Sequence, residues 1–349
     1  MGRFVNKLEQ LKFAVYCFKQ GKDTRFMNRV RALNDENNLV AIERYGDKSS
    51  GEHIYFIDME ESHSGFFAEH NRLLTLLYFA DKYHLRPVVR FHPGYCYGED
   101  HPVNGTDNPF EYYFEQPCGI SLEELWGYGD VLKSRKENSR LAVALNEESN
   151  GYSRSELFLS EMGRITSRYI RLNSTVNDIL HKDMEAAGIC GDLRSGRILA
   201  VHVRGTDFKR HYNGHPIQVL TEEYLQAVMK LFYDKRYDRV FLATDDLQAV
   251  EVFQREFGSK LIYYQDVMRS SGSDTVMHSF SERENHHYLL GVEVLRDMYS
   301  MAECDGLVAG LSQVSYAARI QKKSMGSEYE DLVILNKGIN YHQKENCPA

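Results

Sequence analysis

The stretch Leu199–Arg210 reads LAVHVRGTDFKR. A run of apolar, β-favouring residues gives way at His202 to an imidazole, then the Arg204 guanidinium, Gly205, a hydroxyl, the Asp207 carboxylate and two more cations. In parallel α/β sheets ligands bind beyond the carboxyl ends of the strands, so a strand that ends this way ends at a site. Three further apolar runs finish alike. RVFLAT leads into Asp245 and Asp246, KLIYY into Asp266, and GLVAG into Ser312 and Gln313. Four strand ends discharge polar groups toward one edge, and the set says more than any member.

These residue types suit an anionic, phosphate-bearing ligand. A guanidinium holds a diphosphate in charge-assisted contacts, and a helix start carrying a hydroxyl, as at Ser312, is a ready phosphate site. Gly205 directly after Arg204 lets a ligand approach the backbone closely. Asp266 suits the N–H edge of a base. Plainer readings stand beside these. Asp246 and Ser312 each sit where a helix N-cap belongs, and the Asp245–Asp246 pair favours a first helical turn by charge alone. Adjacent carboxylates at a helix start point apart, which makes a poor Mg²⁺ pair. The chain has no GxGxxG or Walker sequence and no DxD placed for a metal-bound diphosphate. No metal site and no cofactor are expected.

The elements that position these residues are legible from periodicity. HIYFID and LRPVVRF read as strands flanking a helix, a β-α-β unit over residues 54 to 91. The stretch from Gly94 to Gly119, rich in Gly, Pro, Asn and aromatic residues, is too irregular for regular structure. Its rings suit either stacking on sugar faces or packing the loop on the body. Residues 156 to 185 carry Leu157, Met162, Ile165, Tyr169, Leu172, Val176, Ile179 and Met184 at intervals of mostly three and four, which predicts one long helix. AGICGDLRSG then reads as a hinge. Beyond it strand 197–203, a helix at 221–235 capped by Thr221, RVFLAT, a helix from Leu247 to Phe257, KLIYY, the helix YLLGVEVLRDMYSMAE, GLVAG, the short helix SQVSYAARIQ and DLVIL alternate. That alternation predicts a parallel sheet covered on both faces.

At 349 residues the chain is longer than one core usually supports. Three regions are expected: a basic helical extension over 1–50, an α/β domain over 51–190 and a second over 191–349, with the cleft between the last two as the default binding site. A net charge of -8 argues against nucleic acid as a partner. Eight Lys or Arg between Arg3 and Arg31, against Glu9 and Asp23, suit either a solvated helix or weak association with a membrane surface. The six cysteines are scattered with no CxxC pair, which reads as reduced packing residues in a cytoplasmic protein. Sequons occur at Asn104 and Asn173.

HVRGTD, FLATDD and GLVAGLSQVSYAARI, in this order and at these separations, resemble the three sequence blocks of the α1,6/α1,2/protein O-fucosyltransferase superfamily, nearest the α1,6-fucosyltransferase and nodulation fucosyltransferase branch. LRDMYSMAECDGLV and HPIQVLTEEYL look like that branch too, and GFFAEHNRLL is similar to the segment that opens its acceptor domain. The resemblance covers most of 52 to 320 and is more specific in the second half. It implies a GT-B glycosyltransferase of two Rossmann-like domains, metal-independent and inverting, with GDP-fucose as donor and an oligosaccharide or polysaccharide as acceptor. By matched position Arg204 would contact the β-phosphate with His202 and Gly205 beside it. Asp266 would read guanine, Asp245 and Asp246 would shape the nucleotide pocket, and Ser312 with Gln313 would meet the diphosphate. Asp207 would brace the first block or take part in catalysis.

One departure matters. The branch carries Lys directly after its TD pair and a Glu shortly beyond, whereas here Phe208 precedes Lys209 and RHYNGH holds no carboxylate. The general base is therefore open among Asp207, His211, His215, Glu60 and Glu61, with the histidines titrating nearest neutrality. A transferase using GDP-mannose and a non-catalytic nucleotide-sugar-binding protein are the competing readings.

Overall fold

The structure is a computed structural model that describes residues 41–48, 53–59, 64–92, 94–146, 154–205, 213–271 and 279–341, with Leu11, Val15 and Val276 besides. Most of the expected basic extension lies outside the described residues. The chain divides into two compact units. The first comprises Met1–Ser64, Ala68–Glu147 and Glu156–Asn173, and the second Gly65–Phe67, Glu148–Ser155 and Ser174–Ala349. Both are α/β, the class the alternating pattern predicts. Among the described residues, no helix is long and apolar enough to cross a membrane.

In the first unit β1 (Ala41–Glu43), β2 (Ile54–Met59), β3 (Arg86–Phe91) and β4 (Val131–Lys133) form a sheet in the order β1-β4-β2-β3. The β2/β3 and β2/β4 pairs are parallel, and β1 runs antiparallel to β4. A strand at Ala41–Glu43 corrects the expectation of a helical extension to residue 50. Its continuation is tied down as well, because the Tyr45 and Gly46 N–H groups donate to the Tyr128 carbonyl at 3.0 and 2.8 Å. Helix α1 (Phe66–Lys82) crosses over between β2 and β3. On one face of the sheet Ile54, Phe56, Val88 and Val131 pack with Ile120 and Leu125.

The aromatic stretch from Gly94 to Gly119 packs beside β3, with the Phe110 ring 5.8 Å from that of Phe91. Tyr95, Tyr97, Phe110, Tyr112, Tyr113 and Phe114 are all buried, so these rings pack the loop on the body. Two side chains in it satisfy the outer edge of β3, which among the described residues has no strand beside it. Asn108 accepts from the Phe91 N–H and donates to the Val89 carbonyl, both at 2.9 Å. Gln116 accepts from the Val89 N–H at 2.9 Å. An edge covered in this way is closed to further strand pairing. Both sequon asparagines spend their amides internally, Asn104 on the Tyr112 carbonyl and Asn173 on those of Glu111 and Tyr112.

The predicted helix over 156–185 is two helices, α2 (Glu156–Tyr169) and α3 (Ser174–Ala186). Between them the backbone leaves helical geometry to bridge the aromatic loop. Phe114 pairs with Leu172, the Glu115 N–H donates to the Arg171 carbonyl and the Asn173 N–H to that of Tyr113, each at 2.9 Å. Leu157 consequently falls on the solvent side of α2, whose buried face is Phe158, Leu159, Met162, Ile165, Thr166 and Tyr169. The division between units also falls here, between Asn173 and Ser174, ahead of the glycine-rich stretch and not within it.

The second unit follows the predicted alternation closely. Strands β5 (Ile198–Val203), β6 (Arg239–Thr244), β7 (Leu261–Ile262), β8 (Gly306–Gly310) and β9 (Asp331–Leu335) are all parallel, in the order β7-β6-β5-β8-β9. Helices α4 (Thr221–Asp234), α5 (Leu247–Phe257), α6 (His286–Glu303) and α7 (Gln313–Ser324) make the crossovers. KLIYY contributes only Leu261 and Ile262 to pairing. Thr221 is the first residue of α4, not its cap. Leu220 stands at the N-cap, and its N–H donates to the Glu223 carboxylate at 2.8 Å. Buried Leu199, Val201, Val240, Leu242 and Val308 of the sheet pack with Tyr224, Val228 and Phe232 of α4 and with Phe253 and Phe257 of α5.

Candidate functional site

The strand order places the site. Going outward from β5, the chain runs through β6 and β7 on one side and β8 and β9 on the other, so the order reverses between β5 and β8. In an open parallel sheet the crevice at such a switch point, beyond the carboxyl ends, is where ligands bind. His202 and Arg204 end β5, and Ser312 follows β8. The structure brings them together: His202 Nδ1 lies 3.2 Å from Ser312 Oγ, and both residues are buried. Burial, reinforced by the positive charge of Arg204 and opposed by Asp245, pushes the His202 imidazole down to about 4. His202 is therefore neutral at pH 7, a hydrogen-bonding group and not a charge.

Ser312 is the N-cap of α7, its hydroxyl accepting from the Ser315 N–H at 3.1 Å. Ser315 Oγ returns the contact by accepting from the Ser312 N–H at 3.2 Å, and it donates to the Gly310 carbonyl at 2.8 Å. The cap and phosphate-site readings of Ser312 are thus compatible. The serine fixes the end of α7, and Gln313, its first residue, follows at the switch point. Beneath lies Tyr224 of α4, fully buried. Its hydroxyl occupies the space that a Cβ on Gly310 would need. This tyrosine was not singled out from sequence, where its position on an apolar helical face marks it only as core.

Arg204 is held by Asp245, with Nη1 donating to Oδ2 at 2.8 Å, while Asp245 Oδ1 accepts from the Gly205 N–H at 3.1 Å. Asp246 turns the other way. It is buried, stands at the N-cap of α5 and accepts from the Gln248 N–H at 3.0 Å. The two carboxylates diverge as adjacent groups at a helix start do. The glycine at 205 has a different cause from the one expected. A Cβ there would lie 2.5 Å from Asp246 Oδ2 and 2.6 Å from Asp246 Cβ. Gly205 makes room for a carboxylate of the fold, and close approach of a ligand is not needed to explain it.

Asp266 belongs to a second group. Arg296 of α6 binds it in a fork, Nη2 to Oδ1 at 2.6 Å and Nη1 to Oδ2 at 3.1 Å. The same guanidinium reaches Asp183 of α3 and lies 4.0 Å over the Tyr264 ring. Burial alone would raise the Asp266 carboxyl, but the Arg296 hydrogen bond and charge outweigh it and hold the group below the ordinary carboxylate range. With both inner lone pairs on Arg296, Asp266 meets a base edge only by its outer lone pairs or by displacing that arginine. Nothing in the sequence signals Arg296, which sits in an apolar helix. The loop after Asp266 returns to the switch-point group, for Ser270 exchanges backbone hydrogen bonds with Asp245 and Leu247 at 2.9 and 3.0 Å.

Asp207, His211, Glu60 and Glu61 lie outside the described residues. His215 is described, and its carbonyl accepts from the Asn340 N–H at 2.8 Å. Among the described residues, no group of three or more His, Cys, Asp or Glu side chains is arranged to hold a metal ion.

No protein-family model matches this chain, and no curated protein does. Solved structures do. A NodZ alpha-1,6-fucosyltransferase soaked with GDP-fucose is 18% identical, with 77% of this chain and 93% of that chain covered at a TM-score of 0.44. The fucosyltransferase NodZ from Bradyrhizobium, in a selenomethionine form, is 16% identical over 77% and 92% at 0.43. POFUT1 in complex with GDP-fucose is 11% identical over 85% and 100% at 0.46.

Proposed function

We propose that this chain is a glycosyltransferase that takes GDP-fucose as donor and transfers fucose to a hydroxyl of an oligosaccharide or polysaccharide, with inversion and without a metal ion. The observation that carries the reading is the switch-point group of the second unit. Arg204, neutral His202 and the capped start of α7 converge where the strand order reverses, on the sequence blocks that resemble the superfamily.

The acceptor oxygen attacks the anomeric carbon, the bond from that carbon to the diphosphate breaks, and GDP departs with the electron pair. Charge develops on the leaving phosphate. Arg204, preorganised by Asp245, and the N-terminus of α7 at Ser312 and Gln313 stabilise it without reorganising. His202 donates or accepts a hydrogen bond there without adding charge. Asp245 holds the ends of β5 and β6 together through the Arg204 guanidinium and the Gly205 N–H, and Asp266 with Arg296 borders the nucleotide. The acceptor proton passes to a base, for which Asp207 and His211 are the nearest in sequence to Arg204.

A thermal-shift series with GDP, UDP, ADP and CMP, followed by GDP-fucose and GDP-mannose, tests the reading. Ligand at about 100 times its dissociation constant stabilises a fold by roughly 2.7 kcal/mol. A shift with guanine nucleotides alone, and fucose transfer that survives EDTA, is the expected result. Binding of GDP-fucose without turnover on any glycan would make the chain a nucleotide-sugar-binding protein. No shift with any nucleotide would overturn the reading.

A further inference from the structure

The first unit has its own charged group at the carboxyl ends of its parallel strands. Asp58, near the end of β2, is 5% exposed in its side chain and is bound by two cations, Arg90 and Lys133, with the His92 imidazole beside them. Arg90 of β3 holds it in a fork, Nε to Oδ1 and Nη2 to Oδ2, both at 2.9 Å. Lys133 of β4 reaches Oδ2 at 3.0 Å, and His92 Nε2 lies 3.6 Å from Oδ1. The register puts them on one face: Asp58 pairs with Arg90, and Phe56, two residues earlier, pairs with Lys133.

One buried carboxylate requires one cation. Here Arg90 alone satisfies it in the bidentate geometry that suits such a pair, and Lys133 is surplus. Among the described residues no other carboxylate forms an ion pair with Arg90, His92 or Lys133. The surplus is also accessible, since the side chains of Arg90, Lys133 and His92 are 30%, 35% and 36% exposed while the Asp58 beneath them is not. The Arg90 guanidinium is kept rigid by aromatic rings, with Phe56 at 5.2 Å and Trp126 at 5.4 Å. A cation with a fixed plane, a second cation beside it and a buried counter-charge that sets their positions form a built anion site. It stands where parallel strands present their ligands.

We propose that the carboxyl edge of the first unit is an anion-binding site, in which Arg90, Lys133 and His92 take the carboxylate or phosphate group of an acidic sugar. Identifying that sugar as part of the acceptor glycan rests on the transferase reading above; the site itself does not. Arg90 offers the anion the N–H groups that Asp58 leaves unused, and Lys133 supplies a point charge. Asp58 is a positioning residue that holds both.

The chain carries one tryptophan, Trp126, and it lies against Arg90, so its fluorescence reports occupancy directly. Titrating the full chain at constant ionic strength with inorganic phosphate, glucuronate and, as the neutral control, glucose is the experiment, with calorimetry run alongside. Phosphate, glucuronate or both should give a saturable change that glucose does not. Phosphate alone would point to a phosphorylated sugar and glucuronate to a uronic acid. Lys133→Gln keeps the Arg90–Asp58 pair and the fold, and it should weaken the anion about tenfold, the size of one charge-assisted bond. Asp58→Asn removes the charge that sets both cations and should weaken the anion as well, whereas a purely structural pair predicts loss of stability and no anion binding even in the parent chain. Silence by fluorescence and calorimetry with both anions, or an equal response to glucose, would overturn the proposal. Because GDP binding is read by thermal shift in the second unit, failure of the anion site and failure of the donor reading are told apart.

Discussion

The two sheets present different electrostatics at the carboxyl ends of their parallel strands. Among the described residues at the switch point of the second unit, Arg204 pairs with Asp245, and beside them stand a neutral imidazole and two serine hydroxyls that hydrogen-bond one another. In the first unit one carboxylate, Asp58, lies under Arg90, Lys133 and His92. The same strand geometry therefore supports two strategies. The second unit fixes its polar groups in place by balancing them, which is what stabilising a charge that appears only during reaction requires. The first leaves cationic groups in excess, which suits a charge that is already on the ligand.

The contrast can be broken most forcefully in the first unit's aromatic loop. If those rings are core, as their burial states, Phe114→Ala costs about 3–5 kcal/mol of stability, the usual price of a large buried ring. Denaturant unfolding measures it; a variant of normal stability with lost transfer would instead make the loop a sugar platform. In the second unit Arg204→Ala should leave the fold standing and lower turnover by about 2.7–4 kcal/mol in barrier, the worth of one preorganised contact to developing charge. Steady-state rates near the parent value would remove the switch-point group from the chemistry.

Acid tests both units at once, because each buries an imidazole whose basicity burial depresses strongly. His70 and His202 are both pushed down to about 4, chiefly by burial. An unfolded histidine takes up its proton near pH 6.5, so acid favours the unfolded chain. The stability these groups contribute is complete above about pH 6.5 and is lost progressively down to about 4. At pH 5 the loss is about 2 kcal/mol for each. Replacing either one with Gln should recover its share in a pH series of melting temperatures, and an unchanged acid slope in both variants would refute the assignment. The smallest effect is expected at Gly205→Ala, which pushes Asp246 off the start of α5. Loss of that cap costs about 1–2 kcal/mol, read by thermal unfolding, and a neutral outcome would show that Asp246 gives way freely.

The second unit was legible almost residue by residue, and the reason is periodicity. Continuous apolar runs such as RVFLAT and GLVAG bury both faces and have only one reading in a parallel sheet. The strand ends were legible with them. What Gly205 accommodates was not, because the nearest atom to it comes from Asp246, distant in sequence. Arg296 was illegible for the same reason. The helix over 156–185 failed where a tertiary pairing, Phe114 with Leu172, overrode a spacing that local rules read as continuous. In the first unit Asp58, Arg90 and Lys133 are ordinary strand residues in sequence, and only register makes them a group.

The interleaved division of the chain has a practical consequence. Arg154 lies 5.1 Å over the ring of Tyr316, and Phe66 packs edge-on against Phe67, yet all four belong to the unit whose main body begins at Ser174. A fragment starting at Ser174 would be missing two of its own pieces, and no single cut yields either half intact. During synthesis pieces of the second unit emerge before the first is finished, and its main body follows from Ser174 onward. Its maturation is therefore tied to the whole polypeptide, and a nick between Glu147 and Glu156 would separate it from a segment it owns.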